Sequence, residues 1–187
     1  MVTVGVLALQ GGVIEHLQLL ESIGVNAAPV KTEADLKDID ALIIPGGEST
    51  TISKLLTIFE LKQPLQYLIQ NGLPVLGTCA GLILLASEVD SEEGYLGALS
   101  CAVTRNAYGA QLASGEAKVR YTGDIEENVA FIRAPKITSL GNATPIAWVK
   151  DEAVAVSEGN VIGASYHPEL TNSTTLHRKL IELINAD

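Results

Sequence analysis

Apolar positions fall into two patterns along the 187-residue chain, and the change between them divides it. Val2–Leu9, Val25–Val30 and Ala41–Ile44 are short, almost unbroken apolar runs rich in valine and isoleucine. Runs without polar alternation predict strands covered on both faces, as in a parallel sheet. Between them apolar residues recur every three or four positions. Val13, Ile14, Leu17, Leu20 and Ile23 predict a helix stopped by Gly24, and Ile52, Leu55, Leu56 and Phe59 predict another. Ser49 or Thr50 is placed to cap the second of these. Leu65, Leu68 and Ile69 give a further helical piece ending at Asn71-Gly72. Val75-Leu76 then reads as a strand, and Leu82–Ala86 continues as a helix with no breaker.

After Ser87 the pattern changes. Ser100–Thr104, Glu116–Tyr121, Val129–Ile132, Ile146–Val149, Ala153–Ser157 and Val161–Ser165 are strand-like runs separated by turn residues such as Gly123-Asp124 and Gly159-Asn160. Leu176, Leu180, Leu183 and Ile184 predict a closing helix. The expected fold class is α/β. A mostly parallel, doubly wound sheet carries helices on both faces, and the C-terminal half adds antiparallel strands. Residues 1–187 are read as a single domain.

Composition narrows the function. The chain is 47% apolar and 18% charged, with a formal net charge of −10, which argues against nucleic acid or an anionic membrane as partner. No apolar run is long enough to span a bilayer. Two cysteines, Cys79 and Cys101, with no basic region ahead of the first apolar run, read as reduced thiols of a cytoplasmic protein. Cys101, inside a strand-like apolar run, is read as core. No Cys/His cluster has zinc spacing, so no metal is expected, and no cofactor is called for. Pro45–Thr51 lacks the Gly-Lys-Ser/Thr ending of a phosphate loop.

The candidate chemistry centres on Gly77-Thr78-Cys79-Ala80-Gly81, where a strand meets a helix. This is the form of a nucleophile elbow with cysteine in place of serine. A thiol there sits at a helix N-terminus, which favours the thiolate; the alternative is a buried structural cysteine. Flanking glycines accommodate unusual dihedrals and close approach. The thiol needs a base. His16, within the first amphipathic helix, is read as a solvated or interface residue, and His177, beside Arg178 and Lys179, as a surface residue. His167 follows a strand at its carboxyl end in His167-Pro168-Glu169. Residues two apart in an extended segment face the same way, so Glu169 can orient His167 toward Cys79. The backbone N–H of Ala80 and the Pro45-Gly46-Gly47 loop are candidate oxyanion donors. In an open α/β sheet these turns gather beyond the carboxyl ends of the strands.

Gly77–Gly81, Pro45–Thr51 and His167-Pro168-Glu169 together resemble the class I, triad glutamine amidotransferases. More narrowly, Gly5–Gly11, Arg105-Asn106, Phe131–Pro135 and His167–Thr171 resemble the family of glutaminase subunits of pyridoxal 5′-phosphate synthase. The resemblance implies that Cys79 attacks the side-chain amide of L-glutamine, that His167 and Glu169 complete the triad, and that a glutamyl thioester is hydrolysed to glutamate. It implies that Gly47, Glu48 and Ser49 hold glutamine, with Gly47 also in the oxyanion hole, and that Arg105, Ile132 and Arg133 bind substrate. On composition alone Arg105 and Arg133 read as surface arginines, and Glu48 as a first-turn helix acid. Gln10 matches a position at the partner interface. The implied partner is the (β/α)₈ synthase subunit, which would take the ammonia for vitamin B6 biosynthesis. The chain departs from the family at Ala110, where an arginine is usual, and at Asn172-Ser173, where the family is more acidic.

Overall fold

Parallel pairing of neighbouring strands fixes where the chemistry lies. The computed structural model describes residues 2–107 and 114–185. In chain order the elements are β1 (Thr3–Leu7), α1 (Val13–Ser22), β2 (Asn26–Val30), β3 (Ala41–Ile44), α2 (Ser49–Ile58), α3 (Lys62–Gln70), β4 (Val75–Thr78) and α4 (Ala80–Leu85). There follow β5 (Ala86–Val89), β6 (Glu92–Glu93), β7 (Leu99–Thr104), β8 (Ser114–Tyr121), β9 (Glu126–Ile132), β10 (Lys136–Ser139), β11 (Thr144–Val149), β12 (Glu152–Glu158), β13 (Val161–Ala164) and α5 (Thr175–Ile184).

The main sheet runs β2-β1-β3-β4-β13-β12-β11-β8-β9. Strands β2, β1, β3, β4 and β13 are parallel; from β13 outward every pairing is antiparallel. The sheet is therefore evenly mixed, its antiparallel half as large as the parallel one. A second sheet, β10-β7-β5-β6, packs beside it. The last strand of the chain, β13, lies in the middle of the main sheet, with Ala164 beside Thr78. The far edge of the antiparallel half also comes back: His167 N–H donates to Ala130 of β9 at 2.8 Å. That closure carries the end of β9 to the carboxyl rim of the parallel strands.

Both faces of the sheet are covered, which is why the strands read as continuous apolar runs. Val4, Val6, Ile43, Leu76 and Ile162 pack with Leu20 of α1 and Leu176 and Leu180 of α5. Their neighbours Leu7, Leu42, Ile44 and Val75 face the other way, onto α2, α3, α4 and the second sheet. Burial of such side chains stabilises by roughly 1.5–3 kcal/mol each before the cost of ordering them. In β7 only alternate residues are buried, and Cys101 is one of them; burial pushes its thiol up to about 11. Among the described residues no helix is long and apolar enough to cross a membrane.

Two local expectations are corrected. Neither Ser49 nor Thr50 caps α2. Glu48 does, accepting the N–H groups of Thr50 and Thr51 and the Thr51 hydroxyl, because its longer side chain reaches back over the first turn. The helix after Cys79 ends at Leu85, and Ala86 turns directly into β5, which pairs with β7. The strands β5, β6 and β10 are too short or too polar to stand out in the apolar pattern.

Candidate active site

Four parallel strands ending at one rim deliver four loops to one place. The Gln10–Gly12 turn follows β1, Pro45–Glu48 follows β3, Cys79 follows β4, and the segment reaching His167 follows β13. Cys79 stands between β4 and α4 with φ +50° and ψ −101°, a conformation L-residues rarely adopt. The flanking glycines serve close approach rather than unusual dihedrals: neither has a positive φ, but a Cβ on Gly81 would lie 2.1 Å from the Ile44 carbonyl oxygen. The thiol is largely buried, with Sγ 3.8 Å from the Ile132 carbonyl.

His167 Nδ1 lies 2.8 Å from Oε1 of Glu169, whose side chain is fully buried. The pairing expected from the sequence is present, but an extended segment does not make it. His167 caps a 3₁₀ turn over Pro168–Leu170, and Pro168 starts that turn in the position where its missing N–H costs nothing. With Nδ1 on Glu169, Nε2 is left for the thiol. Burial opposes charge on His167, yet hydrogen bonds to Cys79 and Glu169 outweigh it and raise its pKa to about 10. The imidazolium is thus the favoured form, set between a sulfur and a carboxylate.

Gly46 sits against this pair. Its N–H donates to the Thr78 hydroxyl at 3.0 Å, and its carbonyl accepts from Gly12 at 3.0 Å. Gly11 has φ +107°, and a Cβ there would meet the same carbonyl oxygen at 1.9 Å. Since the peptide is trans, the N–H of Gly47 points opposite to the carbonyl of Gly46, away from the Gly11-Gly12 turn. The side-chain amide oxygen of Gln10, Oε1, accepts the Glu48 N–H at 2.8 Å and leaves no room for a side chain on Gly47.

These groups line a cleft of about 390 Å³. Gln10, Gly47, Glu48, Ser49, Arg105, Ile132 and Arg133 line it together with Cys79, His167 and Glu169. Ala80 is buried behind the nucleophile and does not line it. Arg105 is partly exposed and sits 3.6 Å from Asp90. Arg133 has φ +45°. A wider groove of about 770 Å³ adjoins the cleft through Ser49, Ile83 and Arg105, but neither cysteine nor histidine lines it. Among the described residues no group of His, Cys, Asp and Glu is arranged to hold a metal. Ala110 lies outside the described residues. Ser173 is buried and hydrogen-bonds Glu127, so an acidic residue there would set two carboxylates against each other.

His16 and His177 are not surface residues. Both are fully buried, and their rings lie side by side behind Glu169. His16 Nδ1 is 2.9 Å from His177 Nε2, and His16 Nε2 is 3.2 Å from Thr78 Oγ1 and 3.4 Å from Glu169 Oε2. The helical pattern held the clue. His16 lies three residues after Val13 and four before Leu20, on the apolar stripe of α1.

A model of the SNO glutamine amidotransferase family matches residues 6–186. The chain is 45% identical to the pyridoxal 5′-phosphate synthase subunit PdxT of Pyrococcus furiosus, over 98% of this chain and 100% of that one. It is 49% identical to the PdxT of Hyperthermus butylicus, over 97% and 96% of the two chains. Among solved structures, one described as a glutamine amidotransferase superposes with a TM-score of 0.92 at 41% identity, covering 98% of this chain and 99% of that one.

Proposed function

The chain belongs to the SNO glutamine amidotransferase family, and from that premise we propose that Cys79, His167 and Glu169 carry its glutaminase chemistry. Cys79 sulfur attacks the side-chain amide carbon of glutamine while His167 holds the thiol proton. Glu169 keeps Nδ1 of that imidazole occupied and stabilises its positive charge. The oxyanion that forms is held by the N–H of Gly47 and by that of Ala80, which opens α4 and has no intrahelical acceptor. When the tetrahedral adduct collapses, the C–N bond breaks, and the His167 proton leaves with the amine as ammonia. Water, deprotonated by His167, then opens the glutamyl thioester and releases glutamate.

Glu48, Ser49, Arg105, Ile132 and Arg133 are read as the walls that hold the α-amino and α-carboxylate groups of glutamine. The ammonia passes to the synthase subunit that makes pyridoxal 5′-phosphate, and Gln10, which lines the cleft, is read as facing that partner. The working unit is read as residues 1–187, acting in the cytoplasm as the two free thiols suggest.

The observation that carries this reading is His167 hydrogen-bonded to Glu169 and set close enough to Cys79 for the thiol to raise its pKa, at the end of a strand beside the one that leads to Cys79. The test is glutamate release with and without the synthase subunit. Cys79→Ala is expected to abolish it in the complex; retained release would overturn the reading.

A further inference from the structure

All three histidines of the chain are linked in one buried row, and the triad uses only one of them. Glu169 has two carboxylate oxygens. Oε1 is engaged by His167 at 2.8 Å. Oε2 is sealed from water and has no well-aligned hydrogen bond; His16 Nε2 stands 3.4 Å from it. A sealed carboxylate oxygen without a donor is costly, so Nε2 of His16 is the group positioned to serve it.

The tautomers follow from the same accounting. Nδ1 of His177 has no partner and is sealed off. A bare ring nitrogen there wastes only a lone pair, whereas an N–H would be an orphaned donor. His177 therefore carries its proton on Nε2 and donates to His16 Nδ1. That leaves the His16 proton on Nε2, which bonds the Thr78 hydroxyl at 3.2 Å and has Glu169 Oε2 beside it at 3.4 Å. Burial, and then the neighbouring His177 and His167, hold His16 well below the usual histidine range, so it stays neutral and keeps that single proton. Thr78 Oγ1 in turn accepts the N–H of Gly46, in the loop that borders the nucleophile.

We propose that His16 is a positioning residue: its Nε2–H holds the second oxygen of Glu169 and, through Thr78, ties that carboxylate to the Gly46 loop. The proposal rests on the triad reading of Cys79, His167 and Glu169. It gives the buried face of α1 a part in catalysis, although no atom of His16 touches substrate. The carboxylate is gripped from both sides, so the imidazole it orients has one direction in which to point.

The test compares three substitutions in the complex with the synthase subunit. A glutamine amide can reach where Nε2 stood, an asparagine amide only where Nδ1 stood, and leucine offers neither. His16→Leu and His16→Asn are expected to lower kcat for glutamine by about 10- to 100-fold, the usual effect of losing a partner one bond removed from a working imidazole. KM should stay within about threefold, and His16→Gln should recover kcat to within about threefold of the parent. Wild-type kcat in His16→Asn or His16→Leu overturns the proposal, as does a His16→Gln no better than His16→Asn. If His16→Leu does not fold, the Gln/Asn contrast decides alone; if neither of those folds, the residue is structural and the proposal is again overturned. Cys79→Ala is measured alongside. Activity there removes the triad reading itself, whereas an inactive Cys79→Ala beside a normal His16→Asn removes only the role given to His16.

Discussion

A methyl group on Gly46 would stand 2.2 Å from Cε1 and 2.7 Å from Nδ1 of His167. The loop backbone fills the space against the imidazole, and only a residue without a side chain leaves the ring in place. Gly46→Ala is expected to keep the fold, because a side chain can swing aside where a strand cannot. It should nonetheless lower kcat by about 100-fold, the scale of a 1 Å misplacement of a reacting group. Circular dichroism and a glutamate-release assay check the two halves of that expectation.

Glu169→Gln preserves shape and removes charge. Its amide can present either an acceptor or a donor to Nδ1 of His167, and the imidazolium loses its counter-charge. A drop in kcat of roughly 10³ to 10⁴ is expected, as for other triads whose carboxylate becomes an amide. Steady-state kinetics in the complex with the synthase subunit measure it.

The acid limb of stability should come from the buried histidines. Burial lowers the pKa of His177 to about 4 from an ordinary 6.5, and His16 is lowered too. Below 6.5 the unfolded chain takes up protons that the folded chain refuses, so stability is full above 6.5 and is lost as pH falls towards 4. For His177 the loss is on the order of 3 kcal/mol across that window. Melting temperatures of the parent and of His177→Leu, measured from pH 7 down to pH 4, should converge as pH falls.

His167 behaves in the opposite sense. Burial disfavours its charge, but Cys79 and Glu169 raise it to about 10. The folded chain holds a proton the unfolded chain has released, so this contribution is complete below 6.5 and disappears as pH climbs through 10. Cys79→Ala removes one of the two partners and should flatten the alkaline limb. Melting curves between pH 7 and pH 10 decide it.

Glu48 has a structural part separable from glutamine binding. Its carboxylate caps α2, and hydrogen bonds led by the Thr51 hydroxyl lower its pKa. Glu48→Ala should cost about 1 kcal/mol of stability, the common value for a lost cap. Urea unfolding without glutamine reads the cap, and KM reads the substrate contact.

Much of this arrangement is legible in the residues, and the parts that are not have physical reasons. Val4, Ile43 and Leu76 announce the parallel strands because both faces of a covered strand must be apolar. Gly77–Gly81 announces the elbow because only a residue without Cβ fits where Gly81 meets Ile44. His16 and His177 are hidden because histidine is ordinarily a wet residue, and only the row of partners behind Glu169 makes a dry one tolerable. The path of β9 is hidden for another reason. That Ala130 pairs with His167 depends on how far an antiparallel sheet curls, which no spacing of apolar residues encodes.

The place of β13 has a consequence for the life of the molecule. β13 follows both of its neighbours in the chain, so it must wedge between β4 and β12 after they are made and bring His167 and Glu169 with it. Until that insertion is made, Cys79 stands without the imidazole and the carboxylate proposed to serve it. On the proposed triad, a chain that has not yet made this insertion spends no glutamine.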